Sequence, residues 1–482
     1  NRTLIFTRNK EVVSNTMEES PLLPSTQEPN TKTRIVKELK LIWRIAIPGI
    51  ILRVSSFGCV IVTQSFIGHI NQLILAAFAL EQTVFLRFVN AILIGMSSAT
   101  ETLCGQAFGA GQLHMLGLYL QRSWIVNFLT LTICIPLFVF GKQILLAIGQ
   151  DRQVADAVSP LSLWFIPLMY SFVFAFSCQM FLQSQMRNAV VGWISAPSLV
   201  VHVILSLVLV NMLGLGSNGA LASLVVANWL IAAGEVAYIL IGGCPNTWKG
   251  FDKAAFSQLW PVVKLSVSSG LMICLELWYN TILVLVSGYL PDAKTKISAF
   301  SICLNINGLH MMICLGLLAA ASVRVSNEIG RGDVNATKFA IQVLISIALV
   351  FGVTSFVLSC TLNKKLAYVF TNEEEVVNAI DSLSVPLASS MLLNSFQAVL
   401  NGIAIGAGIQ ARVAIVNLGS FYIVGLPVGL CLSFLTVLKM TGLWLGLLIA
   451  VLMQTVFVGV EVLRTDWHIM VEKSSERMNR WS

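Results

Sequence analysis

Residues 94–111 read IGMSSATETLCGQAFGAG, and residues 315–332, which lie 221 positions further along the chain, read LGLLAAASVRVSNEIGRG. The same small residues recur at four places, namely Gly95, Ala99, Gly109 and Gly111 in the first stretch and Gly316, Ala320, Gly330 and Gly332 in the second. Each stretch lies at the end of the second long apolar run of its half of the chain. This recurrence indicates an internal repeat, in which each half of the chain forms the same structural unit.

The composition excludes a soluble protein. Of the 482 residues, 56% are hydrophobic and only 11% are charged, whereas a soluble domain has about a quarter charged residues. The mean hydropathy is +0.82. The apolar runs are long enough for membrane-spanning helices, which need roughly 20 residues each, and they lack the alternation that is typical of barrel strands. The sequence therefore predicts a polytopic helical membrane protein.

Twelve apolar runs predict twelve transmembrane helices. They cover residues 42–68, 73–98, 118–140, 158–182, 190–212, 219–242, 262–290, 297–321, 338–360, 382–405, 412–436 and 442–463. The longest interior break, residues 243–261, divides them into six and six. We therefore predict an all-α fold with an N-lobe (41–242) and a C-lobe (262–463), related by a pseudo-two-fold axis along the membrane normal. Residues 1–40 are predicted to be a disordered tail, 243–261 an inter-lobe linker and 464–482 a C-terminal tail.

Positive charge is concentrated in the two tails and in the loops after even-numbered spans. Basic loops stay in the cytoplasm, so both termini and the linker are expected there. The net charge of +7 fits loops that face anionic lipid, and no nucleic-acid partner is expected. The ten cysteines form no CxxC motif or Cys/His cluster, so no metal site, cofactor or disulfide framework is expected.

Several short motifs resemble those of a known family. In chain order they are FIGH (66–69), ETLCGQAFGAGQ (101–112), QRSW (121–124), CLELWY (274–279), AAASVRVSNE (319–328), GLPVG (425–429) and TDW (465–467). With these motifs the sequence resembles plant multidrug and toxic compound extrusion (MATE) transporters, also called detoxification proteins, over about residues 38–467. It departs from the family at Ile409, where relatives commonly have Trp, and at Asn394, near a position where some relatives have an acid.

The resemblance implies a secondary active transporter and not an enzyme. It implies proton-coupled antiport of organic solutes, such as secondary metabolites or xenobiotics, out of the cytoplasm by alternating access. The expected partners are a small organic solute, a proton and the lipid bilayer, and we expect a monomer. One alternative is a lipid or lipid-linked flippase, which would need a strongly cationic groove. Another is an intramembrane enzyme, which would need a paired acid, a Ser/His pair or a metal cluster.

Glu276 is the first candidate for proton coupling, because ionisable side chains inside a span are costly and usually functional. It lies in the middle of a span, in ICLELWYN (273–280), where its carboxyl can bind a proton from one side and release it to the other. Asn280, one helical turn further on, is expected to hydrogen-bond to it. His310 in span eight is a second candidate, as a proton relay. For both, the alternative is a polar group that joins two helices.

Aromatic and amide side chains in the C-lobe are candidates for cargo binding. They are Trp278, Tyr279, Asn280, Asn307, Asn394, Gln397 and Asn401. The two aromatic residues offer a flat surface for a planar cargo. The last three amides share one face of span ten. Interhelical hydrogen bonding is the alternative for the amides.

In the N-lobe, Arg53 and Gln64 are further candidates for cargo binding. A charged Arg53 inside a span is costly unless it is paired. Glu81 on the next helix is a candidate partner, and such a pair would be structural. The alternative is that Arg53 attracts an anionic cargo. Glu235 in span six is a secondary candidate for a role in the transport mechanism.

The end of span two is predicted to be a hinge or a brace between the lobes. Glu101 is expected to cap or brace a turn formed by Gly105, Gly109 and Gly111. Glycine allows both positive φ and close approach of another backbone.

The N-terminal tail contains a pattern typical of sorting signals. Glu18, Leu22 and Leu23 form an acidic dileucine motif, ExxxLL, which a receptor reads and which does not anchor the chain. It favours the vacuolar membrane over the plasma membrane as the site of residence.

Overall fold

The computed structural model describes residues 31–257, 259–287, 294–370, 374–436 and 438–481. Within these residues, twelve helices have the length and composition needed to cross a membrane, which confirms the predicted all-α membrane fold. In chain order they are α1 Thr31–Ile70, α2 Gln72–Gly109, α3 Leu113–Val139, α4 Arg152–Ser184, α5 Asn188–Met212, α6 Gly216–Gly243, α7 Leu259–Ser287, α8 Lys294–Arg331, α9 Val334–Phe370, α10 Ser384–Ala407, α11 Gln410–Phe434 and α12 Lys439–Arg464.

Several helices extend beyond their apolar runs. The sequence predicts a disordered tail over residues 1–40, but α1 begins at Thr31, so residues 31–40 are helical. This segment is rich in Lys, Leu, Arg and Glu, which are good helix formers, and they continue a helix that the apolar run has already nucleated. The remainder of the predicted tail lies outside the described residues. At the other end of the chain, a further helix, α13 (Trp467–Trp481), follows α12.

The chain divides into two compact units, Asn1–Glu38 and Leu39–Ser482. The described part of the first unit, residues 31–38, is the beginning of α1. All contacts reported below lie within the second unit. They include those of the segment between α6 and α7, where Gln121 of α3 donates to Gly250 O over 3.0 Å and accepts from the Asp252 N–H over 2.9 Å. Two hydrogen bonds from one amide therefore fix this segment to α3.

Close glycine contacts between the two halves occur in symmetric pairs. Gly95 of α2 lies so close to Gly270 of α7 that an added Cβ would collide with its backbone. The matching contact joins Gly49 of α1 to Gly316 of α8, where an added Cβ would lie 3.7 Å from Cα. Residues 49 and 270, and residues 95 and 316, are each 221 positions apart. The contact between α2 and α7 is therefore repeated between α8 and α1, as a two-fold axis requires.

A second symmetric pair lies where α2 and α8 end. A Cβ on Gly109 would collide with the Asn327 carbonyl, and a Cβ on Gly330 would collide with the Gln106 carbonyl. These partners also stand 221 positions apart. We call this end of the bundle, which carries the turns at 110–112, 185–187, 332–333 and 408–409, the inner end, because the sequence predicts that it faces the cytoplasm. The pairs confirm the predicted pseudo-two-fold relation between the halves.

Candidate functional site

A chain of polar side chains crosses three helices of the C-terminal half. Glu276 of α7 is half-buried. Asn401 of α10 donates a hydrogen bond from Nδ2 to Glu276 Oε2 over 3.0 Å. Gln454 of α12 donates from Nε2 to Asn401 Oδ1 over 2.9 Å, and both amide residues are buried. We call these three residues the Glu276 chain. It joins two predicted site residues, Glu276 and Asn401, through a direct contact.

Gln454 is absent from the predicted site residues. It is the only amide in the apolar run 442–463, and an amide inside a span is the sequence signal that points to it. Its partner could not be read from the sequence, because the contact depends on how α10 and α12 are rotated against each other.

Asn280 does not bind the Glu276 carboxyl, as the sequence predicts it would. Its Nδ2 donates instead to the main-chain carbonyl of Glu276 over 3.0 Å. An asparagine within a helix commonly bonds to the backbone of the preceding turn. The Glu276 carboxyl therefore reaches away from its own helix, toward α10.

The two aromatic candidates next to Glu276 lie in different surroundings. Trp278 stacks on Phe88 of α2, with ring centroids 4.4 Å apart and planes 5° apart, and its Nε1 is buried without a hydrogen-bond partner. Tyr279 is fully buried and packs against Phe421 of α11, with centroids 5.1 Å apart. Trp278 therefore joins the two halves of the molecule, whereas Tyr279 belongs to the core of the C-terminal half.

The other predicted polar residues form a second group between α8 and α10. Asn394 donates from Nδ2 to Asn307 Oδ1 over 3.2 Å. His310 lies 3.3 Å from Ser395 Oγ through Nε2, and its ring stacks on Phe351 of α9 with centroids 5.1 Å apart. Gln397 is buried on α10. The predicted stripe of span ten is therefore divided, because Asn394 bonds to α8 and Asn401 bonds to Glu276 of α7.

The predicted pair of Arg53 and Glu81 is wrong. The Glu81 carboxylate accepts a hydrogen bond from Ser162 Oγ of α4 over 2.7 Å. Arg53 of α1 instead lies within electrostatic reach of Glu101 of α2 and Glu235 of α6. Neighbouring spans can present many rotations to one another, so proximity along the chain does not identify the partner of a buried charge. Because two acids surround Arg53, its site is not the cationic groove that a flippase would need.

The end of span two acts as a contact between the halves. Thr102 Oγ1 donates to the Ile405 carbonyl over 2.7 Å, and Gln106 Nε2 donates to the Gly406 carbonyl over 3.3 Å. Gln410 Nε2 donates to Thr102 Oγ1 over 3.0 Å. These bonds join α2 to α10 and α11 at the inner end, which is the arrangement expected of a brace.

The predicted glycine turn is shorter than expected. Gly105 and Gly109 lie inside α2, where they allow α8 to approach, since an added Cβ on Gly105 would collide with Ser326. Gly111 alone among the three has positive φ, at 75°. Glu101 is buried on α2, more than one turn before the helix ends, and so does not cap the turn.

Gln64 lies apart from these groups. It is exposed near the outer end of α1, where it lines a cavity of about 380 Å³ together with Ser65, His69 and Leu75. The sorting motif of Glu18, Leu22 and Leu23 lies outside the described residues.

Comparison with known proteins identifies the fold and the family. The sequence model of the MatE family matches residues 48–208 and again residues 269–431, which is once in each half. The chain belongs to the MATE family. It is 48% identical to Protein DETOXIFICATION 21 of Arabidopsis thaliana over 456 residues, covering 94% of this chain and 92% of that protein. It is 47% identical to Protein DETOXIFICATION 24 of the same plant over 451 residues, with 94% and 90% covered.

Among solved structures, the crystal structure of the eukaryotic MATE transporter AtDTX14 is similar to this MATE protein. It superposes with a TM-score of 0.87 at 30% identity, over 92% of this chain and 99% of that one. The predicted family and fold are confirmed. As a MATE protein, the chain is a membrane-embedded multidrug and toxic compound efflux transporter and not an enzyme.

Proposed function

We propose that this MATE protein exchanges protons for organic solutes by alternating access, with Glu276 as the proton carrier. The observation that carries the proposal is the Glu276 chain, in which a half-buried carboxyl inside a span is bonded by an amide of a second helix. Ionisable groups at such places are costly and commonly form ion or proton pathways. A carboxyl that is partly exposed can exchange a proton with water that enters between the halves.

Cargo binding is proposed beside the same helix. Trp278 of α7 and Phe88 of α2 present two stacked rings at the boundary between the halves, and a planar organic solute that separates or extends the stack would contact both halves. Asn307 and Asn394 offer amide groups on the C-terminal side. Tyr279 and Gln397 are buried and would support this surface rather than form it.

Proton binding and cargo binding are coupled because Glu276 and Trp278 lie on the same helix, α7. Protonation of Glu276 from the outer side changes the charge one turn or less from Trp278, which weakens the cargo complex and lets the halves rock. Each pH unit supplies about 1.36 kcal/mol per proton. A difference of two units therefore concentrates a neutral cargo on the order of a hundredfold for each proton exchanged.

We further propose that both termini lie in the cytoplasm and that the protein resides in the vacuolar membrane. The excess of basic residues in the tails and even-numbered loops supports the orientation. The dileucine motif that contains Glu18 and Leu22 supports localisation to the vacuolar membrane. Imaging of a tagged chain with Leu22 and Leu23 replaced by alanine tests whether the motif directs the protein to the vacuolar membrane. Unchanged vacuolar localisation would contradict the role of the motif.

Transport in proteoliposomes with an imposed pH gradient tests the main proposal. We expect a panel of labelled planar solutes to accumulate only when the gradient is present, and we expect Glu276→Gln to abolish the accumulation. Glu461→Gln is the matched control, because Glu461 is a carboxylate of α12 that pairs with Arg412 at the surface, 3.4 Å away. Accumulation by Glu276→Gln at the wild-type rate would overturn Glu276 as the carrier. Accumulation driven by a sodium gradient at constant pH would overturn proton coupling.

A further inference from the structure

We propose that Arg53, Glu101 and Glu235 form a second proton-binding site, located in the N-terminal half of the molecule. We call these residues the Arg53 cluster. Its role in transport rests on the proposed function, but its ability to hold a proton does not.

The Arg53 cluster combines two buried carboxyls with one guanidinium. Glu101 is 1% exposed and Glu235 is fully buried. Arg53 lies within electrostatic reach of both. Both carboxyl oxygens of Glu235, and Oε1 of Glu101, are buried and make no hydrogen bond of standard length and angle. Three acceptor atoms of the cluster therefore lack a well-aligned donor.

Polar neighbours from two further helices point to a ligand that can donate hydrogen bonds. Gln179 of α4 faces Glu235, is 3% exposed and has its Oε1 buried without a partner. Ser322 of α8 faces Glu101 and is fully buried, and its Oγ makes no hydrogen bond of standard length and angle. The titratable groups that face the two carboxyls from packed helices are Arg53 from α1 and Cys178 from α4.

Charge balance determines what the cluster binds. Two carboxylates and one guanidinium carry one net negative charge, and an uncompensated charge in a dry interior is so costly that the group is neutralised instead. One bound proton makes the cluster neutral. It also turns one carboxyl into a hydrogen-bond donor, which supplies the missing partner for an orphan oxygen. Because either carboxyl can hold the proton, the two share it as a coupled pair.

The position of the Arg53 cluster connects it to the movement of the halves. Glu101 belongs to the N-terminal half and Ser322 to the C-terminal half, so their contact bridges the boundary. The bonds of Thr102 and Gln106 to α10 close the same boundary on the inner side. When the halves separate there, water reaches Glu101 and the proton can leave toward the inner side. The cluster would thus hold its proton only while the inner end is closed.

Infrared spectroscopy of the purified full chain in lipid nanodiscs tests the proposal. The carbonyl stretch of a protonated carboxyl is separate from that of a carboxylate, and it shifts in D₂O. The parent protein carries Glu276→Gln, so that the first site does not contribute. We expect Glu235→Gln and Glu101→Gln each to remove the same band, because either change leaves one carboxylate beside one guanidinium. We expect Arg53→Met to increase the intensity of the cluster's band about twofold, because both carboxyls then become protonated.

Glu81→Gln is the matched control, since Glu81 is a buried carboxyl of the same half that is bonded to Ser162. If Glu81→Gln removes a band, the intensity of that band should be the same with and without Arg53→Met. A spectrum that neither Glu235→Gln nor Glu101→Gln alters would overturn the proposal. Loss of the band in only one of the two variants would also overturn it, because the proton would then belong to one isolated carboxyl.

Two further observations keep the test decisive. A band that disappears when sodium replaces an organic cation would assign the cluster to a metal ion and would overturn the proton assignment. If Glu235→Gln does not fold, as judged by size-exclusion chromatography, the responses of Glu101→Gln and Arg53→Met decide between the outcomes. The measurement needs no cargo, so a failed transport assay and a failed second site are distinguishable.

Discussion

Asn401 presents its amino group to Glu276 because its carbonyl oxygen already accepts a hydrogen bond from Gln454. An amide has one acceptor oxygen and one donor nitrogen, so fixing one end fixes the other. Glu276 Oε2 is therefore held as an acceptor, and a proton that binds to Glu276 goes to Oε1. The direction of one amide thus determines which oxygen of the proposed carrier is free to exchange a proton with water.

The residue Gln454 offers a direct test of this arrangement. Gln454→Leu frees Asn401 to turn its carbonyl toward Glu276 and leaves a buried amide without its partner, at a cost of about 1–3 kcal/mol. Since 1.4 kcal/mol corresponds to tenfold, we expect transport driven by a pH gradient to fall on the order of tenfold in proteoliposomes. Thr455→Val is the control, because Thr455 Oγ1 has no partner. Wild-type uptake by Gln454→Leu would show that the orientation of Asn401 is unimportant.

At the scale of helices, the sequence predicts which segments span the membrane but not how the helices end or bend. Length and hydropathy are local properties, so all twelve spans could be found from composition alone. The π-helical turns at Gln82–Leu86, Leu207–Met212, Ile239–Gly243 and Leu418–Gly425 have no comparable signal. They adjust the rotation of a helix to its neighbours, and this adjustment depends on the packed structure.

Helix α13 shows that part of the predicted C-terminal tail belongs to the core. Trp467 is 6% exposed and packs in the same core cluster as Ile329 and Val413. We expect Trp467→Ala to lower the free energy of unfolding by about 3–5 kcal/mol, as for other buried aromatic residues. Thermal unfolding of the purified protein measures the change. Ile469→Ala serves as the control because Ile469 is 44% exposed, and equal effects of the two changes would mean that α13 contributes little to the core.

At the scale of the whole molecule, the symmetric glycine contacts make the inner end a tight junction. We expect Gly109→Ala and Gly330→Ala to have nearly equal effects, because each adds a Cβ that collides with a backbone carbonyl of the other half. Relief requires the halves to separate at the inner end. Double electron–electron resonance between spin labels at the exposed residues Ala110 and Asp333 should therefore show longer distances in these variants than in the unsubstituted protein. Gly308→Ala, which has open space, should leave them unchanged, and short distances in all three variants would contradict the prediction.

The packing of the whole molecule explains why the candidate site could be predicted only in part. Glu276 and Asn401 could each be selected because polar residues inside spans are rare and costly. Their contact, and the grouping of Arg53 with Glu101 and Glu235, joins helices that are far apart in the sequence. Hydropathy sets which residues lie in the membrane, whereas the rotation of each helix sets which of them meet. That rotation is fixed by packing across the boundary between the halves.

The paired glycine contacts also bear on ancestry. Gly95 contacts Gly270, and their counterparts in the other half, Gly316 and Gly49, also contact each other. This reciprocal pattern is the isologous interface of a homodimer with cyclic symmetry. A chain with such an interface is what results when the gene for a self-pairing six-helix protein is duplicated and fused. The substitutions that have since made the two halves unequal, such as Glu276 at the position that corresponds to Ser55, then record how one half became specialised.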